Sequence, residues 1–334
     1  MAAIRAGARE VTIATGQNAA TWWESNTWHL ARPDGTQPLG DRRLDELVAA
    51  KAGRSISVVV PVVADGAAAV DVVLGAFASA CRSLVDEVVV TTDGAGDAQA
   101  CEARGVRVVP TTSALPGLAT LPGRGEVLWR SVAASTGDFV VVLDGARSEP
   151  ADVARLIEPL LTVDELRLVK GYRHSHVADD ADLVGGGRVT ELMVRQLIAA
   201  LRPELSGVIE PLAGEFAAGR DLLTSIPFAP GEGVDIGILL DTLHRDGIDA
   251  IGQVELASRP PDEPRSPHEH GLHEVGVMSR QIVATFLRRV GIDDSAAPLT
   301  QFVPDGQGGF DPVRNYPVMQ DRPPLYGIDV TERC

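Results

Sequence analysis

Cysteine is scarce in this chain. Cys81, Cys101 and Cys334 are the only three among 334 residues, and none stands at metal-ligand spacing from another. An odd, scattered set excludes a disulfide framework and is the pattern of a reducing compartment. Basic residues are also in deficit: 30 Lys and Arg against 46 Asp and Glu give a net charge of -16. Such a surface repels phosphate backbones and anionic lipid, so nucleic acid and membrane are excluded as partners. No run is apolar enough to cross a bilayer, and residues 1–20 lack the sustained apolar core of a signal peptide. A cytoplasmic location is the expectation. There is no internal repeat. What the chain does have is 45% apolar residues and enough length for a large α/β core.

Residues 1–54 read as an N-terminal arm whose Trp22, Trp23 and Trp28 pack against the body. From Ser55 the pattern becomes regular. Ile56 to Pro61 is a β-branched run ended by proline, hence a buried strand. Further strands are expected at Glu87–Val90, Val106–Val109 and Asp138–Leu143, with helices over 67–84, 97–104 and 125–136 between them. Unbroken valine runs alternating with helices make an α/β fold, a Rossmann-like and mostly parallel sheet with helices on both faces. Residues 55–240 would form this nucleotide-binding and catalytic domain. Residues 241–334 form a mixed C-terminal region. Later helices are expected over 188–202, 234–246 and 275–290, with a loop at 258–271 and an extended tail from Gly306. In parallel sheets ligands lie beyond the carboxyl ends of the strands. Those ends are Pro61–Asp65, Thr92–Asp97 and Asp144–Arg147.

Several residues there could carry chemistry, each with a plainer alternative. Asp144, at the end of a buried strand, suits a metal or a ribose hydroxyl, or else an ordinary turn cap. Gly185-Gly186-Gly187-Arg188-Val189-Thr190 offers free N–H groups, a helix start and a guanidinium, as an anion cradle or a flexible loop. Arg124, between two glycines before a helix, is a second such place. His268, His270 and His273 have spacing that permits metal binding and equally suits a solvated loop. Asp235 is a candidate general base or sugar-orienting carboxylate, or a helix cap.

Longer stretches resemble the glucosyl-3-phosphoglycerate synthase family of actinobacteria, retaining glycosyltransferases of the GT-A fold. The resemblance spans about residues 50–324. It is carried by Ala50 to Arg54, Gly125-Glu126 with Leu128 to Ser131, Gly185 to Leu192, Leu201 to Leu205, Leu222 to Ser225, Pro227 to Gly231, Met278 to Gln281, Leu299 to Phe302 and Asp321 to Pro324. It implies a nucleotide-sugar donor, a small polar acceptor and a homodimer with its contact in the C-terminal half. It further implies donor contacts at Pro61, Val62, Asp65, Asp93, Gly94, Arg124, Asp144, Gly145 and Arg173. Acceptor contacts fall at Gly187, Arg188, Thr190, Glu232 and His270, catalytic roles at Asp235, Arg188 and Arg124, and a divalent Mg or Mn ion at Asp144 and His268.

The chain also departs from that family. Its metal motif, Asp-Ser-Asp in the family, is Asp144-Gly145-Ala146 here, so one carboxylate ligand is gone and metal use is in doubt. The family's Asn-Glu loop pair reads Ala64-Asp65, its Gly-Lys-Gly lysine is Arg124, and its Gly-Tyr-Gly-Val-Glu is Gly231-Glu232-Gly233-Val234-Asp235. An acid at 232 would repel a phosphorylated acceptor. The expectation is therefore a retaining glycosyltransferase recruited to antibiotic metabolism, such as S-glycosylation of ergothioneine from a GDP-sugar. The alternatives are a glucosyl-3-phosphoglycerate synthase using UDP-glucose, and an inactive nucleotide-sugar-binding paralogue.

Overall fold

In a computed structural model the chain is described at residues 16–28, 41–62, 83–92, 106–144, 148–173, 187–256, 272–294, 296–316, 318 and 320–328. The valine runs supply three adjacent strands of the main sheet. Its strands are β1 (Thr27–Trp28), β2 (Ile56–Val62), β3 (Glu87–Thr92), β4 (Arg107–Pro110), β5 (Phe139–Val142), β6 (Leu168–Tyr172), β7 (Phe216–Gly219) and β8 (Ile251–Glu255). Their order is β1-β8-β6-β7-β5-β2-β3-β4. β7 runs antiparallel to both its neighbours, β5 and β6, and every other pairing in this sheet is parallel. The mostly parallel α/β sheet expected from sequence is therefore present, with one reversed strand in its middle. Both flanking parts contribute to it: β1 comes from the 1–54 arm and β8 from the 241–334 region.

Alternate residues along each strand serve opposite faces. Val59, Val140, Val142 and Phe216 pack with Leu128, Trp129 and Val132 of the helix Arg124–Ala134 and with Ile236, Leu239 and Leu240 of the helix Val234–Asp246. Val58, Val60, Val141 and Leu143 pack on the other face with Val153, Leu156, Ile157 and Leu160 of the helix Pro150–Thr162. Burial of this second helix follows from its apolar stripe, and its start is fixed by a capping box between Glu149 and Asp152 with Pro150 in the first turn. The sheet is thus covered on both sides.

The tryptophan arm packs as expected: Trp22 donates its indole N–H to the carbonyls of Ile248 and Ile251. The 188–202 helix runs from Gly187–Val189 through a π-turn at Thr190–Val194 to Arg195–Leu201. The 234–246 helix is present, and the 275–290 helix begins earlier, spanning Leu272–Arg289. The tail forms a separate antiparallel hairpin, β9 (Leu299–Pro304) with β10 (Phe310–Asn315). The helices expected at 67–84 and 97–104, the loop at 258–271 and all three cysteines lie outside the described residues, except for Ser83 and Leu84 at the end of the first.

Candidate active site

At the carboxyl rim of the sheet three of the expected residues, Asp144, Glu232 and Asp235, come together around a fourth, Arg124. The geometry begins with a close approach of two backbones. Gly125 opens the helix Arg124–Ala134 so near to Ala229 that a Cβ would stand 2.0 Å from the Ala229 carbonyl oxygen. Glycine there lets the helix start press against the Ala229–Gly231 turn, which in turn feeds the helix carrying Asp235. Arg124 Nε then donates to Asp235 Oδ2 at 3.1 Å, and Nη2 donates to the Gly214 carbonyl at 3.0 Å. The two side chains are 14% and 6% exposed, so this pair is shielded from solvent and from salt. Burial pulls the Arg124 pKa down, but Asp235, Glu232 and Asp144 outweigh it and hold the guanidinium firmly charged.

Asp144 follows the buried run of β5. The pairing with β2 continues one step past the strand, Leu143 N–H donating to Val59 O at 3.0 Å. The Asp144 carbonyl accepts from both the N–H and the hydroxyl of Ser148. These bonds place the Asp144 carboxylate on the rim. Glu232 is set by Gln281, whose side-chain oxygen accepts the Glu232 N–H at 3.0 Å. Asp235 has one carboxylate oxygen on Arg124, while its other, Oδ1, is buried with no hydrogen-bond partner. An uncompensated buried acceptor costs free energy unless a ligand supplies the donor.

Other expected residues are placed differently. Arg173 stands at the end of β6, but its Nη2 is held by Asp152 at 2.7 Å and Glu215 at 3.1 Å. Burial lowers its pKa, and these two carboxylates more than reverse the effect. The guanidinium is thus engaged in protein ion pairs through Nη2. Pro61 and Val62 close β2 as buried residues at the same rim. Gly187 and Thr190 lie at the start of the π-turned helix, with Thr190 buried. Asp65, Asp93, Gly94, Gly145, His268 and His270 lie outside the described residues, as does the Arg188 side chain.

The described residues offer one carboxylate, Asp144, where a metal is expected. None of their His, Cys, Asp and Glu side chains form a group of three or more able to hold an ion. A hard cation can still be held by one carboxylate when substrate phosphates and water complete its shell. Among the described residues the donor set would fit an ion completed by substrate phosphate and water.

Sequence reasoning missed Lys170, Glu215 and Asp152. Lys170 had a visible signal, a lone charge inside the apolar run Leu168 to Tyr172.

No protein-family model matches the chain. A glucosyl-3-phosphoglycerate synthase of Mycobacterium tuberculosis is 46% identical over 310 residues, covering 90% of this chain and 91% of that protein. One from Petrotoga mobilis is 34% identical over 213 residues, 62% of this chain and 64% of that protein. Among solved structures, the M. tuberculosis enzyme with Mn2+, UDP and phosphoglyceric acid superposes with a TM-score of 0.75 at 43% identity, over 90% of this chain and 98% of that one. The same enzyme with Mn2+ and UDP-glucose gives the same values.

Proposed function

The chain belongs to the glucosyl-3-phosphoglycerate synthase family, and on that premise we propose that it transfers glucose from UDP-glucose to 3-phosphoglycerate with retention at the anomeric carbon. The reading is carried by Asp235: a buried carboxylate with one oxygen locked on Arg124 and the other unpartnered, fit to accept a hydrogen bond from a sugar hydroxyl. The relatives, solved with UDP-glucose and with phosphoglyceric acid, support these substrates. They give no support to the GDP-sugar, the thiol acceptor or the antibiotic role expected from the departures in sequence. In the proposed reaction the bond from the anomeric carbon to the diphosphate oxygen breaks, and a bond to the acceptor hydroxyl oxygen forms on the same face. The hydroxyl proton passes to the departing diphosphate. Arg124 supplies fixed positive charge beside the reacting centre. A divalent cation, held by Asp144 and in the family resemblance by His268, would neutralise the diphosphate.

A second reading rests on Glu232. Its charge is felt by Arg124 and would oppose a phosphorylated acceptor, which favours an uncharged or cationic one. Purified protein incubated with UDP-glucose, 3-phosphoglycerate and Mn2+ should form the glucosylated phosphoglycerate and lose this activity in EDTA. Asp235→Asn should lower kcat/KM by about 10- to 100-fold, the worth of one hydrogen bond to a charged group. No transfer to 3-phosphoglycerate, with turnover of a neutral or cationic acceptor restored to phosphoglycerate by Glu232→Gln, would establish the second reading. No turnover of any nucleotide sugar would leave a binding protein.

A further inference from the structure

Lys170 carries a positive charge into the middle of the sheet. The residue is 1% exposed. Its ammonium lies 5.4 Å from the centre of the Phe216 ring and donates to the Ala213 carbonyl at 2.5 Å. The next carbonyl, that of Gly214, accepts from Arg124 Nη2, and Arg124 Nε holds Asp235. Two consecutive carbonyls just ahead of β7 are therefore each held by a cation, and the second cation holds the site carboxylate. A Cβ on Gly214 would stand 2.7 Å from Arg124 Nη2, so a side chain there would push the guanidinium aside.

The charged groups facing the ammonium come from each side of this corner. Asp235 reaches it from the helix Val234–Asp246, Arg124 from the helix Arg124–Ala134, and Glu210 and Glu215 from the segment leading into β7. Burying an ammonium is costly. Methionine has nearly the same length and shape and would occupy the strand without that cost. What the ammonium adds is a grip on Ala213 and a positive field under Asp235.

We propose that Lys170 is a positioning residue for the transfer reaction: by fixing the Ala213–Gly214 backbone it seats Arg124, and through Arg124 it aims the second oxygen of Asp235 at the sugar. This rests on the reading of the site as a glycosyl-transfer centre. Lys170 acts through Arg124 and Asp235, so its loss should lower turnover more than it weakens UDP-glucose binding.

The test compares wild type, Lys170→Met and Gly214→Ala in full-length protein, with thermal melts to confirm folding and calorimetry to measure UDP-glucose binding. Lys170→Met should weaken UDP-glucose binding by far less than it lowers kcat, which should fall on the order of 100-fold, the scale set by a small misplacement of a reacting group. Burial holds the Lys170 pKa down at about 8, so wild-type kcat should decline on the alkaline side of that value. That limb should be missing in Lys170→Met. Gly214→Ala displaces Arg124 with the lysine intact, and should show the lowered kcat with the limb retained. Wild-type turnover by both variants, or an alkaline limb unchanged by Lys170→Met, overturns the positioning role alone. Absence of transfer by wild type overturns the functional reading and this inference with it.

Discussion

At the scale of single residues, buried charges among the described residues are mostly paired, and the pairs do not act alike. Asp241 shows how. It sits where the helices Val234–Asp246 and Leu272–Arg289 meet, 2.8 Å from Arg289 Nε and 14% exposed. Burial raises its pKa from an ordinary 3.8 to about 6, against the pull of Arg289 and with a push from Asp321. The folded state keeps this proton up to about pH 6, whereas the unfolded chain releases it near pH 4. Between those values the native state binds more protons, so stability falls as pH rises. Two pKa units correspond to roughly 3 kcal/mol at most. Asp241→Asn resembles the protonated form at every pH. In chemical denaturation at pH 4.5 and 7, the advantage of wild type over Asp241→Asn should therefore shrink as pH rises. A constant difference across that range would remove Asp241 from the pH response.

At the scale of elements, the C-terminal segment ties the site together. Arg322 donates to Glu126 through Nε at 2.5 Å and Nη2 at 2.8 Å, and lies over the Trp129 ring at 5.0 Å. Its backbone exchanges two hydrogen bonds with Phe228, just before the turn that meets Gly125. Glu126 also holds Arg130 at 2.6 Å, with both side chains fully enclosed. Arg130 in turn caps the carbonyls of Thr111, Leu115 and Leu118. Removing one member of a buried ion network strands another, at a cost of about 3–5 kcal/mol. Arg322→Met should fall at the low end, because Arg130 still neutralises Glu126. Glu126→Gln should cost more, leaving Arg130 without its anion. In a double-mutant cycle the two losses should fall short of additivity, as expected for one network. Little of this was legible in sequence, since Glu126 and Arg322 are 196 residues apart. Of the strands that were legible, β2, β3 and β5 are valine runs buried over most of their length, and β4 is a shorter, part-exposed one. β7 was not legible, because Phe216-Ala217-Ala218-Gly219 has weak strand propensity and is held by its neighbours. The helix Pro150–Thr162 carried a readable capping signal that went unread. In the site, Arg124, Asp144, Glu232 and Asp235 were legible as charges next to glycines or strand ends. What joins them was not, because it runs through the carbonyl of Gly214 and the packing of Gly125.

At the scale of the whole molecule, the hairpin β9–β10 bears on assembly. Its inner face meets the helix Leu272–Arg289 at Gly276, where Leu299 and Gln301 pack closely. Phe302 pairs with Pro312 and Pro304 with Phe310 on the outer face, both phenylalanines are 66% exposed, and Tyr316 is 71% exposed. An apolar face of this kind marks a contact surface. We propose that the same face of a second copy covers it, giving the homodimer expected of the C-terminal half. Pairing the same face of both copies is the arrangement a two-fold interface takes. Each chain also carries a net charge of -16, so two copies repel one another at long range and salt should screen that repulsion. Light scattering should therefore give twice the 35.2 kDa chain mass, with the dimer strengthening as NaCl is raised from low ionic strength. Phe302→Glu with Phe310→Glu should give a folded monomer at all salt concentrations. A wild type that is monomeric throughout, or a dimer indifferent to both substitutions, would place the interface elsewhere or nowhere.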